Sequence, residues 1–455
     1  MMHLKHFYDQ GLAHSSYLIG GQEESIVVDP SRDIQKYLDE AKSANLPITG
    51  IIETHLHADF ISGHMDLAKA TDASIYASQT ANCEFEHIPV QEDKPIQHDT
   101  LKISLVNTPG HTPESAVFLI ADLERTDKPI LAFTGDTLLV GDVGRPDLFP
   151  EKKEELAGKL YESLSKLSKL ADYIEVYPAH GMGSLCGRAL SAKLWTTLGI
   201  EKQWNEAFSL HPKDVFIKDL LAVMPEAPDH FSRCSEINRL GPTKLKDLPI
   251  PEPLGPDQFQ KKMESEALVV DARSFIEYAG AHIPQAYAVP LQGKFSTYAG
   301  WVLPFDHPIL LVVENQKQLD EALRGLRAVG HDNVTGYLDG GINRWINSGK
   351  KTNHIETISI QEFHEIKDDP DYTLLDNRLK SEWDEGHIEG TIHAPTPDIR
   401  ERYQEWDPDK PVVTFCNTSN RSILAASLLK QRGFKRVLNM VGGTTAWTAA
   451  GHPFA

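Results

Sequence analysis

Short apolar runs alternate with amphipathic stretches over roughly the first half of the chain. "SSYLIG" and "ESIVVDP" flank Gly20-Gly21 and predict a strand pair. "DIQKYLDEAKSANL" carries helical periodicity, and "ITGIIETH" is an apolar strand that runs straight into a histidine-rich loop. "LKISLVNTPGHTPES", "PILAFTGDTLL" and "YIEVYPAHG" repeat that scheme, each an apolar strand ending in a loop with histidine or aspartate. Strand ends feeding polar loops are where α/β folds place their sites. In "MPEAPDHFSRCSEINRLGPTKLKDLPIPEPLGPDQF" proline and glycine become dense and periodicity fades. This predicts a linker, with the boundary at residues 240–256.

The remaining chain is an internal repeat. "VVDARSFIEYAGAHIPQAYAVP" aligns with "LLDNRLKSEWDEGHIEGTIHAP", pairing Asp271 with Asp376, Arg273 with Arg378, His282 with His387 and Pro290 with Pro395, each 105 positions apart. Gly340-Gly341 and Trp345 pair with Gly442-Gly443 and Trp447 at an offset of 102. The expected organisation is a first domain over 1–240, a linker over 241–256 and tandem domains over 257–352 and 353–455, all of α/β class.

Composition narrows the function classes. Hydrophobic residues are 40% and charged residues 24% of the 455, a globular balance. The net charge of −20 argues against nucleic acid and anionic membranes, which need a basic face. No apolar run approaches the ~18 residues of a membrane span, and "MMHLKHFYDQ" lacks a signal-peptide core. The expectation is a cytoplasmic protein. Four cysteines without a C-x-x-C pair read as reduced thiols, and Cys83 and Cys234 fit ordinary packing.

The chemistry begins at "ETHLHADFISGH". His55, His57 and Asp59 follow the spacing H-x-H-x-D-H, but Phe60 stands where the third histidine belongs. His111 in "TPGHTPES", Asp136 in "FTGDTLL" and His180 in "YPAHG" complete a set of strand-end donors suited to a metal. This order resembles the metallo-β-lactamase fold, which implies an αββα sandwich. The lost histidine belongs to the second metal site of that family's dinuclear hydrolases. "THLHADFISGH" and "GDVGRPDLF" are similar to the persulfide dioxygenases, also called sulfur dioxygenases. That resemblance implies one Fe(II) per chain, with zinc conceivable in a recombinant sample, held by His55, His111 and Asp136 as a facial triad with positions open for a substrate sulfur and dioxygen. It leaves His57, Asp59 and His180 to orient ligands and water. The alternative is a zinc hydrolase of the glyoxalase II kind, in which His57 is itself a ligand. Arg145 could clamp a substrate carboxylate, or form a loop salt bridge with Asp142 or Asp147. Cys186 is a candidate sulfur carrier or a buried structural cysteine.

"PVVTFCNTSNRSILAASLLKQRGF" reads as a buried strand, a tight loop and a helix starting near Ser422. Cys416 precedes Arg421 by five positions, where loop amides and a helix N-terminus favour a thiolate. With "LLDNR", "GHIEGTIHAP" and "GGTTAW", this repeat resembles the rhodanese sulfurtransferases, although Ser419 stands where that family often has glycine. The resemblance makes Cys416 and Arg421 the catalytic pair. At the offset of 102 the first repeat has Glu314 and Leu319 instead, so it is expected to be inactive. The recurrence of His282, His387, Trp345 and Trp447 in both copies points to structure. Together the resemblances imply oxidation of glutathione persulfide, or a similar small persulfide, by dioxygen to sulfite, coupled to sulfur transfer in sulfide detoxification. They also imply small-molecule partners and a homo-oligomer, expected as a dimer.

Overall fold

The structure, a computed structural model, describes residues 2–188, 190–209, 212–222, 224 and 226–455. The chain divides into two units, Met1–Asp247 with Arg327–Gly330, and Leu248–Leu326 with His331–Ala455.

The first unit holds two six-stranded sheets. One runs in chain order: β1 (His3–Asp9), β2 (His14–Gly20), β3 (Ser25–Val28), β4 (Ile48–Glu53), β5 (Ser74–Ser78) and β6 (Ile88–Val90). The other contains β7 (Ile96–His98), β8 (Leu101–Asn107), β9 (Ala116–Asp122), β10 (Leu131–Gly135), β11 (Glu175–Pro178) and β12 (Thr196–Thr197), also neighbours in sequence order. Tyr17, Ile19, Ile26, Val28 and Ile52 of the first sheet pack against Leu101, Ile103, Phe118, Ile120 and Phe133 of the second. The alternate residues face helices. Leu18, Val27 and Ile51 meet Tyr37 of the helix Gln35–Ala44 and Leu67 of the helix His64–Thr71. Leu119, Ala132 and Val176 meet Leu160 and Leu164 of the helix Lys153–Leu167. Strands covered on both faces lose the polar alternation of a half-exposed strand, which is why β2, β3, β9 and β10 are buried throughout. The result is the αββα sandwich.

The second unit contains two parallel five-stranded sheets with matching topology. The first consists of β13 (Glu252–Leu254), β14 (Leu268–Asp271), β15 (Tyr287–Ala288), β16 (Ile309–Val312) and β17 (Val334–Leu338), in the order β13-β17-β16-β14-β15. The second consists of β18 (Glu356–Ile358), β19 (Thr373–Asp376), β20 (Ile392–His393), β21 (Val412–Phe415) and β22 (Val437–Met440), in the order β18-β22-β21-β19-β20. The repeated residues take equivalent structural posts. Arg273 and Arg378 clamp Asp271 and Asp376 through paired hydrogen bonds. His282 stacks on Tyr278 at 3.9 Å and His387 on Trp383 at 3.8 Å. The indoles of Trp345 and Trp447 donate to the carbonyls of Lys351 and Pro453.

Two elements fall in the stretch expected to be irregular. Residues His230–Leu240 form a helix, and β13 pairs in parallel with β17. Pro228, Gly241 and the prolines around β13 punctuate the stretch, but Phe231, Cys234 and Asn238 still share one buried helical face.

Candidate metal centre and thiol site

Four strand ends of the first unit converge. β4 runs into His55, His57 and Asp59, the β8–β9 connection carries His111, β10 ends before Asp136 and β11 before His180. Gly135 turns with φ of +52°, and a Cβ there would lie 2.5 Å from Thr54 Oγ1 and 3.0 Å from His55 Nδ1. The chain therefore needs glycine to bring the β10 turn against the metal loop.

His55, His111 and Asp136 are buried, and each offers a ligand atom within 4.8 Å of the others. Asp136 Oδ2 lies 3.8 Å from His55 Nε2 and 3.4 Å from His111 Nε2. Both of these nitrogens are buried without a hydrogen-bond partner. The opposite nitrogen of each ring is held: His55 Nδ1 lies 2.9 Å from Thr54 Oγ1, which itself donates to Asp29, and His111 Nδ1 donates to the Arg145 carbonyl at 2.9 Å. Burial pushes the His55 imidazole well below its usual range, and His57 beside it pushes the same way. Burial also lowers His111, against a smaller opposing pull from Asp136. Two neutral rings with free Nε2 lone pairs facing one carboxylate fit a divalent metal. Left empty, that arrangement would hold unsatisfied polar atoms at a cost of about 1–3 kcal/mol each.

The other predicted residues surround this group. His180 Nδ1 donates to Asp136 Oδ1 at 2.7 Å, and its Nε2 lies 2.9 Å from Asp59 Oδ2. Burial alone would depress this imidazole, but Asp136 and Asp59 outweigh it and hold it well above the usual range. His57 Nε2 is directed at Asp29 (3.3 Å) and Glu53 (3.8 Å). Asp59, His180 and Cys186 form a second buried group of metal-ligand type. Burial, with Asp59 and Asp136 nearby, pushes the Cys186 thiol well above its usual range, so this sulfur is a neutral thiol. Phe60 is 1% exposed, and its ring lies 4.1 Å from His14 and 4.4 Å from His57.

Arg145 is fully buried, pairs with Asp147 at 2.7 and 2.9 Å, and donates to the Leu185 carbonyl. Asp147 is one of the two salt-bridge partners that the sequence offered. Asp142 pairs with Arg188 instead. Four contributors escaped the sequence reading. Asp29 and Glu53 receive His57. His14 pairs its backbone with His180. Asn238 donates to the carbonyls of His57 and Phe60 and accepts from Ser62 N–H, each at 2.8 Å.

In the second unit Cys416 lies between β21 and the helix Asn420–Gln431, which starts two residues earlier than the sequence suggested. Ser419 adopts φ of +71° and is fixed by its hydroxyl, which donates to Met440 O at 3.1 Å and accepts from Gly442 N–H at 3.0 Å. These bonds replace the steric freedom that glycine would bring. At Gly443 a Cβ would lie 1.8 Å from the Cys416 carbonyl, so glycine there permits the loop's close return. Arg421 and Glu382 form a two-armed ion pair, and Asn417 donates to the same carboxylate at 2.6 Å. In the first repeat Glu314 follows β16 by two positions with Arg273 at 3.8 Å, and Leu319 is buried. Neither can carry sulfur. Among the described residues no helix is long and apolar enough to cross a membrane.

Comparison with known proteins follows the same division. The metallo-beta-lactamase superfamily model matches residues 9–180, and the rhodanese-like domain model matches 255–348 and 359–450. A solved metallo-beta-lactamase from Staphylococcus aureus subsp. aureus COL is 34% identical with a TM-score of 0.67, covering 74% of this chain and 98% of its own. A hydroxyacylglutathione hydrolase of Shewanella halifaxensis is 35% identical over 158 residues, 34% of this chain and 55% of that protein. The mitochondrial persulfide dioxygenase ETHE1 of Bos taurus is 27% identical over 184 residues, 39% of this chain and 67% of that protein. The chain thus spans little more than half the hydrolase's length.

Proposed function

We propose, for a chain that belongs to the metallo-beta-lactamase superfamily and carries two rhodanese-like domains, that it is a persulfide dioxygenase coupled to a sulfurtransferase in sulfide detoxification. The observation that carries this reading is Phe60. Its buried ring removes a donor from the second ligand set, while His55, His111 and Asp136 keep three converging donors. A set of two histidines and one carboxylate suits Fe(II), which when bound supplies redox chemistry toward dioxygen and open positions for a persulfide such as glutathione persulfide.

The chain's own groups have definable tasks. Thr54 and Arg145 fix the two histidine rings so that Nε2 faces inward. His180, held between Asp136 and Asp59, orients the ligand carboxylate. At the other site the Cys416 thiolate attacks the outer sulfur of a persulfide. The S–S bond breaks, its electron pair leaves with the thiolate, and Cys416 retains the sulfur as a persulfide. Sulfite then attacks that outer sulfur, giving thiosulfate and restoring the Cys416 thiolate.

A zinc-dependent thioester hydrolase of the glyoxalase II kind is the second reading. It is favoured by the buried Asp59–His180–Cys186 group beside the triad and by the hydrolase relative. Metal analysis of anaerobically purified protein, with oxygen uptake on glutathione persulfide in the same sample, separates the two. The expected result is about one iron per chain with oxygen consumption. About two zinc ions per chain, no oxygen uptake and hydrolysis of a glutathione thioester would establish the hydrolase instead.

A further inference from the structure

His14 opens β2, and its backbone is fixed to the loop that carries His180. Ser15 N–H donates to the Ala179 carbonyl at 2.7 Å, and Gly181 N–H to the Ala13 carbonyl at 2.9 Å. Ala13 takes φ of +54° to enter the strand, a left-handed conformation that strains an alanine and persists only where its surroundings enforce it. The His14 imidazole is held 5.6 Å from those of both His57 and His180, ring centre to ring centre. His57 is in turn 4.1 Å from His55, so one ring separates His14 from the triad.

This imidazole is 0% exposed, and among the described residues neither of its nitrogens has a hydrogen-bond partner. Phe60 lies tilted against it at 4.1 Å and offers it only carbon. Burial drives the ring well below its usual range, and His180 and His57 push the same way. A neutral imidazole presents one N–H donor and one lone pair. Two orphaned polar atoms on one buried ring carry a desolvation cost that a bound partner would offset. A neutral donor and acceptor match the N–H and carbonyl of amide groups, whereas a charged end-group would call for a counter-ion.

We propose that His14 is a substrate-recognition residue of the metal centre, which hydrogen-bonds the amide groups of a small peptide-bearing persulfide of the glutathione kind. This rests on the dioxygenase half of the proposed function and names which persulfides that site prefers. A persulfide that enters sulfur first carries its cysteinyl amides behind the reacting sulfur, and His14 stands one ring behind the triad. An alkyl persulfide has no amide and gains nothing from His14. Phe60 then has a second effect: as a carbon wall it leaves both His14 nitrogens to the bound molecule.

The test uses the full chain with His14→Phe, which keeps a flat ring without nitrogens, and His14→Gln, which restores a donor and an acceptor. Calorimetry on the zinc-loaded chain, where the metal does no redox chemistry, compares glutathione with ethanethiol. His14→Phe should weaken glutathione binding about tenfold, equivalent to about 1.4 kcal/mol, and leave ethanethiol within about twofold. His14→Gln should recover most of that loss. On the iron-loaded chain the kcat/KM ratio of glutathione persulfide to ethyl persulfide should fall about tenfold in His14→Phe, with the loss in KM. Equal effects on both thiols, no effect on either, or a His14→Gln no better than His14→Phe overturns the proposal. So does loss of metal in both variants, which would make His14 a support of the metal itself. A native iron-loaded chain that takes up no oxygen sinks the dioxygenase reading, while the thiol comparison still decides whether His14 recognises an amide.

Discussion

The proposed one-metal reading turns on a single side chain, Phe60. It puts carbon where the sequence pattern has a histidine, and its ring lies tilted against His14 and His57. Phe60→His would return a nitrogen beside Asp59 and His180, whose own geometry is already that of a ligand pair. Metal content should rise from about one to about two ions per chain, with thioester hydrolysis becoming measurable, because a restored second site stabilises an attacking hydroxide. Elemental analysis showing no added metal, with no hydrolysis, would mean that Phe60 is not what limits the site. Spacing made the donors legible: each stands just past an apolar strand. The groups that orient them left no such trace. Asp29 and Glu53 look like ordinary strand-end acids in sequence, and His14 opens β2 with no pattern around it. Their roles come from pairings across the sheet, which a single sequence does not display.

At the scale of elements, the helix His230–Leu240 matters more than its weak sequence signal suggests. Through Asn238 it ties down both ends of the stretch that carries His57 and Phe60. Asn238→Ala would strip partners from one buried N–H and two buried carbonyls. The expected cost is about 2–3 kcal/mol, and a melt of the full chain should show the first unit's transition lowered by about 4–10 °C. Metal retention on dialysis should fall with it, since the loop would lose its fixed conformation. An unchanged melting curve and metal content would show that the loop holds itself. Long strands and the strand–loop–helix of Cys416 were readable because burial on both faces writes continuous apolar runs. This helix was not, because only one of its faces is buried and proline and glycine crowd its ends. β13 was hidden for a related reason: three residues at a sheet edge, one of them Pro253, carry almost no periodicity.

For the whole molecule, the proposed function places its two chemistries in different units, with a diffusible product to connect them. On that proposal, sulfite made at the triad of the first unit is the acceptor required at Cys416 in the second. Covalent linkage keeps the two sites at a common effective concentration. With glutathione persulfide and oxygen supplied, the native chain should therefore release thiosulfate as well as sulfite. Cys416→Ser should stop thiosulfate formation and accumulate sulfite at an oxygen-uptake rate within about twofold of native, because each active centre carries its own machinery. His111→Ala should do the reverse, losing metal and oxygen uptake while thiosulfate–cyanide sulfur transfer persists. Chromatographic measurement of both anions against oxygen uptake checks this. If Cys416→Ser still yields thiosulfate at the native rate, the second unit is not the transferase. If it abolishes oxygen uptake, the two sites form one catalytic system and the division of labour fails. The repeat offset of 105 announced the duplicated domains, and Glu314 is the ground for expecting the first copy to be silent. The bonds between the copies, from Ala288 N–H to Ser427 Oγ and from Arg400 to the Trp301 carbonyl, arise only when two sheets dock, and no residue spacing encodes that encounter.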